Sequence, residues 1–176
     1  MAESLDVIEA REKTNDREFY LEIVKTKPTL IEWASEEIRD DKEILLIAVK
    51  VDGGALEFAS DKLKDDKDVL LAAVTQAGWT SCYASDRLKA DKDVLLAATQ
   101  NDGQVLYFAS QELRDDKDVV LAAVTNKPII LKYASFRLRD DKDIALAAVG
   151  KAKGKVLEYI SPRLQEDEDI KNLMSN

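Results

Sequence analysis

The stretch DKDVLLAAVTQAGWTSCYASDRLKA, Asp66 to Ala90, decides the fold, because nearly every other part of the chain is a copy of it. Its opening Asp-Lys pair returns at Asp41-Lys42, Asp91-Lys92, Asp116-Lys117 and Asp141-Lys142, always 25 residues apart. The series extends back to Asp16-Arg17 and, after one extra residue, forward to Asp167. A fixed short period is the signature of a repeat array.

Counted from its opening Asp, the unit explains itself position by position. Asp at position 1 (Asp16, Asp41, Asp66, Asp91, Asp116, Asp141, Asp167) reads as a helix N-cap, accepting from first-turn N–H groups and favouring the dipole. Positions 4 to 9 are almost wholly apolar, Val69 to Val74 in the third copy. Such a run suits a buried strand or a buried helix, and the Asp cap and Ala pairs such as Ala97-Ala98 decide for helix. Leu recurs at position 6, from Leu21 to Leu146, as a core site would.

Position 13 is Pro28, Gly53, Gly78, Gly103 or Pro128, which marks a turn. A second apolar pattern at positions 15, 16, 18, 19 and 23 predicts a second helix. Position 18 is always aromatic, from Trp33 to Tyr159, and reads as a hydrophobic spine between two helix layers. Position 20 is always Ser, where that helix stops and a short separate turn begins; Ser161-Pro162 reads as N-cap and first helical residue. The expected architecture is all-α: a solenoid of about six helix-turn-helix repeats. Residues 1–15 are an N-terminal cap using Leu5, Val7 and Ile8, residues 16–166 hold the six repeats, and residues 167–176 form a polar capping helix. All of this reads as one domain.

The pattern DKDVLLAAV…G…L.(F/Y)AS..L(R/K)DDKD resembles a family of short tandem helical repeats catalogued only as a domain of unknown function. Such repeats occur in proteins of intracellular bacteria and protists, some of them suspected effectors. The resemblance covers residues 16–170 and implies a fold without an assigned chemistry. A weaker similarity is to the leucine-rich variant repeats, which pair an α-helix with a 3₁₀ helix and favour Pro where this chain has Lys beside the capping Asp.

Composition narrows the function. With 26 Lys+Arg against 35 Asp+Glu, the net charge of −9 should repel nucleic acid and anionic lipid. No run of 18 apolar residues offers a membrane span, and the start MAESLDVIEAREKT reads as no secretory leader. A lone Cys82 fits a reducing cytoplasm, a host cell's if the protein is an effector. There is no His, the commonest general base and zinc ligand. Cys82 therefore lacks the partner that activates a thiol, and no catalytic residue, cofactor or metal is expected. The DDKD clusters fail as calcium loops: counting from Asp66, the fifth, sixth and twelfth places are Leu70, Leu71 and Ala77. The stretch GKAKGK, residues 150–155, lacks the spacing of a phosphate loop.

What remains informative are residues that break the unit's rule. Positions 14, 17 and 21 are mostly polar or Gly, as at Gly54, Glu57 and Asp61, but elsewhere hold Trp79, Cys82, Tyr107, Ile129 and Phe136. Stacked copies would place these on one side, and clustered exposed apolar residues mark interaction surfaces. The sequence thus points to a non-catalytic scaffold binding a protein or peptide, monomeric, with no nucleic-acid or membrane partner. The alternative is a structural spacer array within a larger effector-like protein.

Overall fold

The computed structural model describes residues 4–175. Every copy opens on a capped α-helix: Arg17–Ile23, Lys42–Val51, Lys67–Gln76, Lys92–Asn101, Lys117–Asn126 and Lys142–Ala152. In all seven position-1 aspartates the carboxylate accepts from backbone N–H groups two or three residues on, as Asp66 does from Asp68 (3.0 Å) and Val69 (3.1 Å). This is the cap that the sequence predicts.

The second element is a 3₁₀ helix: Pro28–Trp33, Gly53–Phe58, Gly78–Tyr83, Gly103–Tyr107, Pro128–Tyr133 and Lys153–Tyr159. Three residues per turn bring positions 13, 16 and 19 onto one line, and in the second copy Gly53, Leu56 and Ala59 are all buried. The segment ends because the position-19 residue turns extended (ψ 155 at Ala59), delivering Ser60 to its cap. A one-turn α-helix follows, such as Asp61–Lys64, with Ser60 Oγ accepting from Leu63 N at 3.2 Å. The Ser also reaches backwards. Its N–H donates to the position-24 carbonyl of the preceding copy, as Ser60 to Arg39 (3.2 Å) and Ser135 to Arg114 (2.9 Å). An invariant Ser here closes its own helix and ties two copies together.

The chain divides into two compact units, one ending at Leu88 and one beginning at Lys89. In the first, the capped helices of copies two and three pack side by side while the 3₁₀ segments of copies one to three pack as a second row. The second unit repeats this plan with copies four to six, and the C-terminal helix Glu168–Ser175 packs on Lys142–Ala152. Both units are thus all-α and built on the solenoid plan.

The core lies elsewhere on the capped helix than the Leu column suggests. Positions 4, 5, 8 and 9 are the buried ones, Val94, Leu95, Ala98 and Thr99 in copy four, whereas Leu96 at position 6 is only half-buried, as in every other copy. The aromatic column also departs from expectation. Residues at position 18 are half-buried on the 3₁₀ side, and the fully buried layer is formed by positions 15, 16, 19 and 23. In copy three two places of that layer are polar, Thr80 and Ser81, and Ser81 Oγ has no hydrogen-bond partner among the described residues.

At the N-terminus, helix Leu5–Glu12 does not bury the residues expected. Leu5 is 83% exposed and Ile8 42%, while Ala10 is buried and its carbonyl accepts from Tyr20 Oη at 3.0 Å. Burial raises the Tyr20 pKa to about 12. Nearby, the Arg11 guanidinium lies 3.8 Å over the Trp33 ring. The extra residue of copy six is absorbed where Lys153 takes φ 52, a region that favours Gly. The basic stretch has local work: Lys151 Nζ donates to the Thr125 carbonyl and Lys153 Nζ to that of Leu173 (2.9 Å).

Candidate interaction site

Two surfaces drew attention in the sequence, the aspartate clusters and the apolar rule-breakers, and the structure treats them differently. The aspartates pair with cations across successive copies. Lys42 Nζ reaches Asp66 (2.7 Å) and Asp68 (2.9 Å) of the next copy, and Lys92, Lys117 and Lys142 repeat the contact, as Arg17 does with Asp41 and Glu43. One residue earlier, the position-25 aspartates Asp40, Asp65, Asp115 and Asp140 accept from the next copy's Ser hydroxyl and from Lys62, Arg87, Arg137 or Arg163 at its position 22. Copy three breaks both ends of this pair together: position 25 is Ala90, and the facing position 22 is Glu112.

These contacts set the acid response. Partial burial pushes the Asp66 carboxyl upward, but Lys42 and the N–H groups of Val69 and Asp68 outweigh it and leave the pKa below the ordinary 3.8. Asp41, Asp116 and Asp141 follow the same balance, while Asp65 and Asp115 are lowered first by a Ser hydroxyl and then by Arg. A depressed carboxyl contributes stability fully above its unfolded value and loses it as pH falls through the folded one. The melting temperature should therefore hold down to about pH 5 and fall steeply below about pH 4. A thermal melt series across pH 7 to 3 checks this, and a Tm independent of pH over that range would show the ladder idle.

The rule-breakers stay at the surface. Trp79 is 45% exposed, Tyr107 51%, Ile129 40% and Phe136 87%, while Cys82 is half-buried. In the first unit Trp79 meets Tyr83 edge-on, ring centroids 5.8 Å apart. In the second, Tyr107 and Ile129 come together. They line a cleft of about 230 Å³ between the 3₁₀ segments Gly103–Tyr107 and Pro128–Tyr133, with Gln104, Phe108, Ile130, Lys132 and Tyr133. Tyr107 packs edge-to-face on both Phe108 and Tyr133, at 5.0 Å each. Arg114 holds the wall in place, donating to the carbonyls of Tyr107 (2.8 Å) and Ala109 (3.1 Å). Phe136 stands apart, at the start of Phe136–Arg139 with the Arg139 guanidinium 5.5 Å over its ring. Sequence reasoning missed Lys132. The signal was present: it occupies position 17, which is Glu32, Glu57 and Glu158 in three other copies.

A helical array with inter-copy caps and ion pairs defines a repeat protein of the solenoid class. A family model described as Domain of unknown function (DUF4116) matches residues 16–64, 41–89, 66–114 and 116–165. The chain belongs to this family, and each match begins on a capping Asp and spans two successive copies. No curated protein and no solved structure gives a significant match. Among the described residues no helix is long and apolar enough to cross a membrane.

Proposed function

We propose that the chain is a non-catalytic scaffold that binds a protein or an extended peptide through the rule-breaking residues. The observation that carries this reading is the exposure of Trp79, Tyr107, Ile129 and Phe136 at places where other copies fold equally well with polar residues or Gly. Side chains this exposed contribute little to folding beyond what Gln, Glu or Asp would, but they dominate binding energies where a partner covers them. We take it to work as a monomer in a reducing cytoplasm, its own cell's or a host's, with neither nucleic acid nor membrane as partner. The lone Cys82 and net charge of −9 support that setting. The α-helix and 3₁₀ segment of each copy support a kinship in plan with the leucine-rich variant repeats.

The test borrows the chain's own alternatives: Trp79→Gln from Gln104, Tyr107→Glu from Glu57 and Phe136→Asp from Asp61. Capture of partners from native lysate should be lost in the triple variant while its circular dichroism stays helical. A folded variant with undiminished capture removes the site, and a wild type that captures nothing favours a spacer role.

A further inference from the structure

Resting on that reading, we infer that the Tyr107–Ile129 cleft takes one bulky apolar side chain of an acidic peptide, with a neighbouring carboxylate of that peptide on Lys132. Size comes first. At about 230 Å³ the cleft falls below the roughly 300–1,000 Å³ of small-molecule sites, and it matches a single aromatic or branched side chain. Its walls are suited to such an anchor: Phe108, Tyr133 and half-exposed Tyr107 present ring faces and edges, and Ile129 and Ile130 close the other side.

Charge selects the peptide. Among the described residues, Lys132 is the only charged one lining the cleft, in a chain of net charge −9. Its Nζ lies 4.8 Å over the Tyr133 ring, and no carboxylate among the described residues forms an ion pair with it. On the capped helices, by comparison, Lys42, Lys92, Lys117 and Lys142 each hold two carboxylates of the next copy. An acidic peptide with an apolar anchor is complementary in shape and sign.

The test is a selection of random 12-residue peptides displayed on phage against the whole chain, followed by titration of the enriched peptides with wild type and Lys132→Glu. The variant should fold, because three other copies carry Glu at this place. The expected consensus is an aromatic or branched aliphatic residue flanked by Asp or Glu. Affinity should fall roughly tenfold or more in Lys132→Glu, and recover in that variant when the peptide's acid is replaced by Lys. A neutral or basic consensus, equal affinity for both proteins, or no enrichment overturns the proposal. So does a concentration-dependent dimer in sedimentation that Tyr107→Glu abolishes, which would assign the cleft to a second copy. Failure of the scaffold reading itself shows separately, as undiminished lysate capture by the triple variant.

Discussion

Leu95→Ala should lower the free energy of unfolding by about 2–5 kcal/mol, and Leu96→Ala by clearly less. The two residues are neighbours on one helix and identical in chemistry, so the difference isolates packing. Leu95 is wholly buried in a cluster with Leu106, Val119, Val120 and Ala123, and truncation leaves a cavity that its 3₁₀ and helical neighbours hold open. Leu96 is half-buried at the edge of that cluster, where water or a side-chain shift fills the gap. Urea melts of both variants check the ranking. Equal midpoints would mean that the helix is rotated from the face described.

Gly103→Ala should cost about 1–3 kcal/mol, a large effect for one methyl group. A Cβ on Gly103 would stand 2.6 Å from the carbonyl oxygen of Ala123 and 3.0 Å from the Lys127 backbone nitrogen, both main-chain atoms of the next copy that cannot swing aside. Gly53 meets Ala73 O at 2.5 Å in the same way. Position 13 is therefore a place of close approach between copies as well as a helix stop. Gly154 is the internal control: only the flexible end of Met174 lies near, at 3.3 Å, so Gly154→Ala should leave the melt unchanged or slightly improved. Matching losses at Gly103 and Gly154 would show that close approach to the next copy does not govern the site.

The parts of the fold legible from sequence are those with a local cause. A capping Asp and its apolar run depend on neighbours within one turn, and so does the Ser that starts the short helix. The 3₁₀ geometry was hidden because over six residues periods of 3 and 3.6 place positions 15, 16 and 19 almost alike. The half-burial of position 6 was hidden because its Leu is as apolar as the buried Leu beside it. Which side of an all-apolar helix meets the next copy is decided by the stacking angle, and no single residue states it. The inter-copy ion pairs were readable in principle. Asp at position 25 accompanies Lys or Arg at the next copy's position 22, and where Ala90 replaces it the partner is Glu112.

The candidate site followed the same division. Breaks in a repeated polar rule identified Trp79, Tyr107, Ile129 and Phe136 as surface residues, since polar counterparts at the same register betray exposure. The cleft itself depends on Tyr107 of one copy reaching Tyr133 and Ile129 of the next, a contact across about one period that only stacking reveals.

These side chains sit on a fold that does not need them. Urea denaturation of the Trp79→Gln/Tyr107→Glu/Phe136→Asp protein tests it most directly. With Phe136 almost fully exposed and the other two half-exposed, a cooperative transition is expected, with a combined loss of about 2 kcal/mol or less, smaller than that of Leu95→Ala alone. A loss of several kcal/mol, or a chain no longer folded in buffer, would contradict it and place these residues in the core.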